Sequence, residues 1–207
     1  MDFVRPVEAI TPGVQGRVLS VLAETTADLN MRTIARLADV SLAQASRVLA
    51  RLVELGVVER RDVPPSSLFR LVRQHVAVGP LLALARGRDA LIGEMGRIAL
   101  GLPVVPLSAI VFGSFSRGEA DIESDIDTVL VSPAGVDESD ELWSESVEQW
   151  RASVRRASGN RVEVLDVGSD EVTALLTGRR QVWREIRRDG LVVHGPSLAE
   201  LEGGSGG

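Results

Sequence analysis

Apolar residues recur at helical spacing through the first quarter of the chain. Val14, Val18, Leu19, Val21 and Leu22 follow a Thr-Pro step and predict a helix over residues 11–25, with Pro12 tolerated in the first turn. Ile34, Leu37 and Ala38 share one face of a second helix over residues 31–39. After a break at Val40 and Ser41, the residues Ala45, Val48, Leu49 and Leu52 trace one buried stripe of a third helix. Ser41 and Gln44 stand in the relation of a capping box at its start, and Gly56 suits the left-handed stop at its end. Ser46, Arg47, Ala50 and Arg51 are left facing outward. Residues 57–72 then read as two short strands around a Pro/Ser tip, a β-hairpin.

The second half has a different rhythm. Residues 79–100 are apolar on one side (Leu81, Leu91, Met95, Ile98) and charged on the other, which predicts a connecting helix despite Gly87, Gly93 and Gly96. Strand-like runs follow at 109–112, 126–131 and 162–167. Helical patterns lie at 138–157 and 171–188, and a last short strand at 191–194. Strands separated by helices imply an α/β unit. The expected organisation is therefore a first domain over 1–75, a second over 76–202 including its leading helix, and a flexible Gly/Ser tail over 203–207.

Composition narrows the chemistry. The chain of 207 residues is 44% hydrophobic and 25% charged, which is ordinary for globular domains. Aromatics make up 3% and argue against base-stacking platforms. Without Cys there are no disulfides, thiolate zinc sites or Cys nucleophiles, and a reducing cytoplasm is the natural compartment. No export signal or membrane span is visible in the pattern, so membrane partners are not expected. Every one of the 23 basic side chains is Arg. Residues 1–75 carry ten Arg against eight acids, a net +2, and the remainder thirteen against twenty-one, a net −8. Two modules with different partners follow from that asymmetry.

The second module holds the most informative stretch. A strand ending in Gly113 and Ser114 gives a tight turn where backbone N–H groups and a hydroxyl can meet phosphate oxygens. Ten residues later Asp125 and Asp127 open the next strand, and residues two apart on a strand project to the same face. Two adjacent carboxylates repel, and a divalent cation offsets that repulsion; hard oxygen ligands suit Mg2+ or Mn2+. Glu163, flanked by two valines on a later strand, is the expected third acid. Asp166, three positions on, falls on the opposite face.

The run GSFSRGEADIESDIDTVLV resembles the G-S-x10-D-x-D signature of DNA-polymerase-beta-type nucleotidyltransferases, especially the minimal ones, and the likeness extends over about residues 95–196. What it implies is a metal-dependent transfer of a nucleotidyl group from a nucleoside triphosphate, ATP the first choice, to a hydroxyl acceptor. Gly113, Ser114 and Arg117 would contact the nucleotide. Asp125, Asp127 and Glu163 would be the catalytic and metal-binding acids, with Glu163 helping to deprotonate the acceptor. The sequence departs from the family in having Glu163 where Asp is common and Thr128 where Leu is common.

Residues 31–72 resemble winged helix-turn-helix regulators, whose recognition helix, glycine stop and wing appear here in order. The resemblance implies DNA binding, with Gln44, Ser46, Arg47 and Arg51 at base edges and Arg60, Arg61, Arg70 and Arg73 on phosphates. The expected fold class is therefore mixed α+β: an N-terminal winged helix-turn-helix domain followed by a small α/β polymerase-beta-like nucleotidyltransferase domain. A homodimer would strengthen DNA binding, and the acceptor is left open among protein, RNA and small molecule. Antitoxin-like and autoregulatory roles fit this combination. The alternative is a transcription regulator whose second domain is a catalytically silent, nucleotide-responsive switch. His75 and His194 read as structural or surface groups, Trp143 and Trp150 as helix packing, and the pairs Arg179-Arg180 and Arg187-Arg188 as exposed helix charge.

Overall fold

The computed structural model describes residues 1–136 and 139–203, and the chain divides into two compact units. Residues 4–87 with Asp2 form one; Met1, Phe3 and the residues from Arg88 onward form the other. The expected start of a helix at Glu138 and the end of the tail, residues 204–207, lie outside the described residues.

The first unit begins with α1 (Pro6–Ile10), too short for periodicity to reveal, and α2 (Val14–Ala23). α2 starts two residues beyond Pro12 because Gly13, at φ +89°, breaks the backbone there. Then come β1 (Leu29–Asn30), α3 (Met31–Leu37) and α4 (Leu42–Glu54). The Asn30 side chain caps α3 by accepting from the Thr33 N–H at 2.9 Å. Ser41 and Gln44 form the expected capping box on α4, at 3.2 and 2.9 Å, and each such cap contributes about 1 kcal/mol. β2 (Val58–Val63) and β3 (Ser66–Leu71) make the hairpin, with Val58 opposite Leu71 and Val63 opposite Ser66, and β1 adds to β3. Leu22, Ile34, Leu49 and Phe69 close the core beneath α3 and α4. Leu37, expected on the buried face, is 52% exposed, because Ile34, Ala35 and Ala38 form the face of α3 that meets the core and Leu37 lies beside it.

One helix was expected over 79–100; two are present, α5 (Val78–Ala85) and α6 (Gly87–Leu100). The physical reason is that their apolar faces serve different cores. Val78, Leu81 and Leu82 pack into the first core, whereas Leu91, Met95 and Ala99 pack into the second. The boundary between units accordingly falls at Gly87, not after residue 75.

The second unit continues through β4 (Ser108–Phe112), α7 (Gly113–Arg117), β5 (Ile126–Val131), α8 (Glu141–Ser158), β6 (Val162–Val167), α9 (Val172–Thr177), α10 (Gln181–Asp189), β7 (Leu191–His194) and α11 (Leu198–Glu202). The expected helix over 171–188 is split near Gly178 into α9 and α10. The sheet runs β6-β5-β4-β7; β5 pairs parallel with β6, and β4 pairs antiparallel with both β5 and β7. Its two central strands are buried on both faces, which explains why apolar residues occupy successive positions at 109–112 and 129–131. Ala109, Val111, Ile126 and Leu130 meet Trp143 and Trp150 of α8 on one side. Ile110, Phe112, Val129 and Val131 meet Leu176, Trp183 and Ile186 on the other. Gly96, an apparent weakness in α6, permits a close crossing: a Cβ there would stand 2.8 Å from the Val193 carbonyl oxygen. Among the described residues, no helix is long and apolar enough to cross a membrane.

Candidate active site and DNA-facing surface

Register brings the motif residues together. Phe112 on β4 lies opposite Asp127 on β5, and Asp127 lies opposite Glu163 on β6. Asp127 and Glu163 therefore occupy one sheet face, the face covered further along by α9 and α10. Asp125, two residues before Asp127, immediately precedes β5. Gly113 follows Phe112 at φ +72°, in the left-handed region, and a Cβ on it would lie 2.5 Å from Asp127 Oδ2. The glycine is thus required twice, once by backbone and once by the carboxylate against it. Ser114 is the second residue of α7, whose Phe115 is fully buried and meets the Phe3 ring edge-on at 5.0 Å. Arg88 donates from Nε to the Phe115 carbonyl at 2.8 Å and from Nη2 to the Ser116 carbonyl, which holds the last turn of α7.

Burial, and then the charges of Asp125, Glu163 and Glu185, push the Asp127 carboxyl above the usual aspartate range; Arg117 partly offsets them. This is the repulsion expected of acids gathered on one face. Glu163 nevertheless remains 47% exposed and forms an ion pair with Arg161, although two valines flank it. As an outward residue of the sheet's edge strand it does not share their burial. Among the described residues, no group of three or more His, Asp or Glu side chains is arranged to hold a metal ion.

Asp166 is on the opposite face, as alternation requires, and both its oxygens accept from Trp143 Nε1 at 2.9 and 3.0 Å. Thr128 is there too. Its hydroxyl donates to the Glu163 carbonyl at 3.0 Å and accepts from Trp150 Nε1 at 3.2 Å. The departure from Leu at this position belongs to packing between β5, β6 and α8, not to the site.

Arg117 is engaged at both ends of its guanidinium, by Glu119 at 2.8 Å and by Asp189 of α10 at 3.2 Å. Arg188 and Arg117 together hold the Asp189 carboxyl down to about 2. Two further residues that sequence reasoning missed support the site. Glu185 presents a charge to Asp127 from α10; its four-residue spacing from Asp189 was the available signal. Asn160, buried just before β6, donates from Nδ2 to the Asp121 and Ser124 carbonyls at 3.0 and 2.9 Å. It thereby fixes the loop that delivers Asp125, and no sequence pattern marks a single Asn for that role.

In the first unit α3 and α4 form a helix-turn-helix and β2–β3 the wing. Ser46, Arg47 and Arg51 are exposed on α4, with Arg51 paired to Glu54 at 3.2 Å. The Gln44 amide oxygen is committed to the Ser41 cap. On the wing Arg60 pairs with Asp62 at 2.8 Å, Arg61 with Asp28, and Arg70 with Glu59 at 3.2 Å. Exposed pairs of this kind contribute about 0–1 kcal/mol, so a phosphate can displace them. A groove of about 830 Å3 lies between the start of α4 and the wing tip, lined by Arg32, Leu42 and Pro65 among others. His75 caps locally, its Nδ1 accepting from the Ala77 N–H at 3.1 Å.

A helix-turn-helix with a hairpin wing, followed by a mixed sheet with Gly-Ser just after one strand and Asp-x-Asp at the start of the strand beside it, defines a DNA-binding type of head joined to a nucleotidyl-transfer type of fold. Comparison with known families agrees: residues 10–66 match the model of the MarR family, and residues 100–175 match that of the nucleotidyltransferase domain. The chain is a fusion of a MarR-family winged helix domain with a nucleotidyltransferase domain. No curated protein matches it significantly. A solved structure described as the crystal structure of a toxin-antitoxin with AMP-PNP is similar over 54% of this chain and 77% of that chain, at 17% identity and a TM-score of 0.35.

Proposed function

We propose that the protein transfers a nucleoside monophosphate group from a nucleoside triphosphate to a hydroxyl acceptor, and that its winged helix holds it on DNA. The observation that carries this reading is the fit of Gly113 against Asp127, with Asp125 alongside. It leaves a backbone turn open to phosphate directly beside paired carboxylates.

In the transfer, the acceptor oxygen forms a bond to the α-phosphorus while the bond from that phosphorus to the bridging oxygen breaks. Pyrophosphate leaves, and the acceptor proton passes to the Glu163 carboxylate and then to water. Gly113 and Ser114 bind the terminal phosphates, and Arg117 adds a cation once it leaves Asp189. Asp125 and Asp127 fit a Mg2+ or Mn2+ ion by donor chemistry, since both are hard oxygen ligands whose repulsion a cation relieves; Glu163 fits only after parting from Arg161. Bound there, the ion supplies neutralisation of phosphate and carboxylate charge. On the head, Ser46, Arg47 and Arg51 face the base edges, with Gln44 contributing its amide N–H groups, while Arg60 and Arg61 meet phosphates.

The pairing of Glu163 with Arg161 and of Arg117 with Asp189 favours a second reading, a regulator in which the nucleotide acts as signal and no transfer occurs. Incubation of the full chain with α-labelled ATP, Mg2+ and cell lysate separates the two. Label on an acceptor that disappears in Asp125→Ala/Asp127→Ala supports the enzyme. Absence of label, together with nucleotide-dependent DNA binding, supports the switch.

A further inference from the structure

α10 separates its charges. Its acids lie toward the site: Glu185 accepts from Gln181 at 3.0 Å, and Asp189 takes Arg117 and Arg188. Its outer face is cationic. Arg180 at the N-cap and Arg184 and Arg187 along the helix are exposed, as is Arg179 just before them. Among the described residues none of these four makes an ion pair, and neither do Arg155 and Arg156 of α8, whereas Arg97, Arg117, Arg151 and Arg161 of the same unit all do. In a part of the chain with a net charge of −8, four unpaired cations on and immediately before one short helix are not a balance of local charge.

The spacing suits a repeating anion. Arg180, Arg184 and Arg187 step along the axis by about 6 and about 4.5 Å, at 1.5 Å per residue. Guanidinium forks grip phosphate oxygens in pairs. Trp143, Trp150 and Trp183 are buried, so this surface has no ring on which a base could stack. It can hold a phosphodiester backbone and is indifferent to sequence. A single row along nine residues spans one backbone, not the two of a duplex. α10 also packs against α7, the helix that opens with Gly113 and Ser114, and against β4. A strand held on its outer face therefore lies about one helix width, on the order of 10 Å, from the proposed site of transfer.

We propose that this cationic face of α10 binds the backbone of a single-stranded nucleic acid, and that the strand's terminal hydroxyl is the acceptor. The acceptor role rests on the transfer reading above; the binding does not. The step is the one already written, with the terminal oxygen bonded to the α-phosphorus, pyrophosphate released and the proton passed to Glu163.

The test uses the full chain and a short, fluorescent single-stranded RNA of mixed sequence, titrated from about 50 to about 200 mM salt. Wild type binds, and Arg180→Gln/Arg184→Gln/Arg187→Gln weakens binding at low salt by tenfold or more. The slope of log K against log salt becomes shallower by about 2, at roughly 0.7 per single-strand phosphate contact. Arg155→Gln/Arg156→Gln on α8, which removes unpaired cations elsewhere, leaves both quantities unchanged. Wild-type affinity in the α10 variant, an equal loss in the α8 variant, or no binding by wild type overturns the proposal. Label from α-labelled ATP should reach this RNA but not the same RNA ending in a 3′-deoxynucleotide. Binding without label on the RNA, while another acceptor in lysate is labelled, overturns the acceptor role. Binding with no labelled acceptor of any kind overturns the transfer reading and leaves the binding face standing.

Discussion

A side-chain carbon on residue 113 would meet Asp127 Oδ2 at 2.5 Å, so the carboxylate and the turn beside it are packed directly against one another. Gly113→Ala should therefore act on both. The left-handed backbone alone costs at least about 1 kcal/mol, and the carboxylate must turn away as well. Urea denaturation should show the loss of stability, and nucleotide titration should show binding reduced below detection. Retained affinity would remove Gly113 from the phosphate site.

Asp127 carries a penalty in the folded state whose sign can be stated. Its carboxyl is held above the usual range, so the ionised form is disfavoured by folding, and the penalty is present above that raised value. As pH falls through it, protonation relieves the repulsion. Asp127→Asn should raise the melting temperature at pH 7 in metal-free buffer, and the advantage over wild type should shrink toward pH 3. Mg2+ should raise the melting temperature of wild type but not of Asp125→Ala/Asp127→Ala, because only a site present in the folded state shifts the equilibrium. Thermal scans across pH and Mg2+ concentration check each statement.

Thr128 gives a contrasting case, a polar residue in the motif that faces away from the site. Thr128→Val leaves the buried Trp150 indole N–H without its acceptor and should cost about 1–3 kcal/mol. Nucleotide affinity should stay at the wild-type value once the protein is folded. A stable variant that fails to bind nucleotide would contradict this assignment.

Asp189 lies well below the ordinary carboxylate range because Arg188 and Arg117 bond to it. A depressed value means stability that is fully present above pH 4 and is lost as pH falls toward 2. Asp189→Asn should show a shallower loss of stability in that interval than wild type, measured by acid titration of the circular dichroism signal.

On the surface proposed to face DNA, Arg47 is exposed on α4 and forms no ion pair among the described residues, whereas Arg61 is already paired with Asp28. Arg47→Ala should lose about 1–3 kcal/mol of discrimination between the protein's own promoter and unrelated duplex. Arg61→Gln should weaken both equally and reduce the salt slope by about 1. Electrophoretic shifts at several salt concentrations distinguish the two, and an unchanged preference in the Arg47 variant would refute its base contact.

What could be read without coordinates was whatever depends on near neighbours. The capping box of Ser41 and Gln44, the stop at Gly56, the hairpin over 57–72 and the strands carrying Asp127 and Glu163 all follow from spacing within a few residues. So did the opposite facing of Asp166, which is a matter of parity along one strand. The division of residues 79–100 between two helices was not legible, because Val78 and Leu91 are alike as apolar residues and differ only in which core receives them. Nor was the 47% exposure of Glu163, since flanking valines reveal a strand's burial but not whether that strand sits at the edge of its sheet.

Local pattern thus determined the two modules, their order and the acids and glycine that could carry chemistry. Tertiary structure decided which of those groups are occupied. Arg117 meets Asp189 from 72 residues away, and Trp143 meets Asp166 from 23. Partners at such separations are chosen by how the sheet orders its strands and where the helices cross it, and that choice depends on the whole core at once.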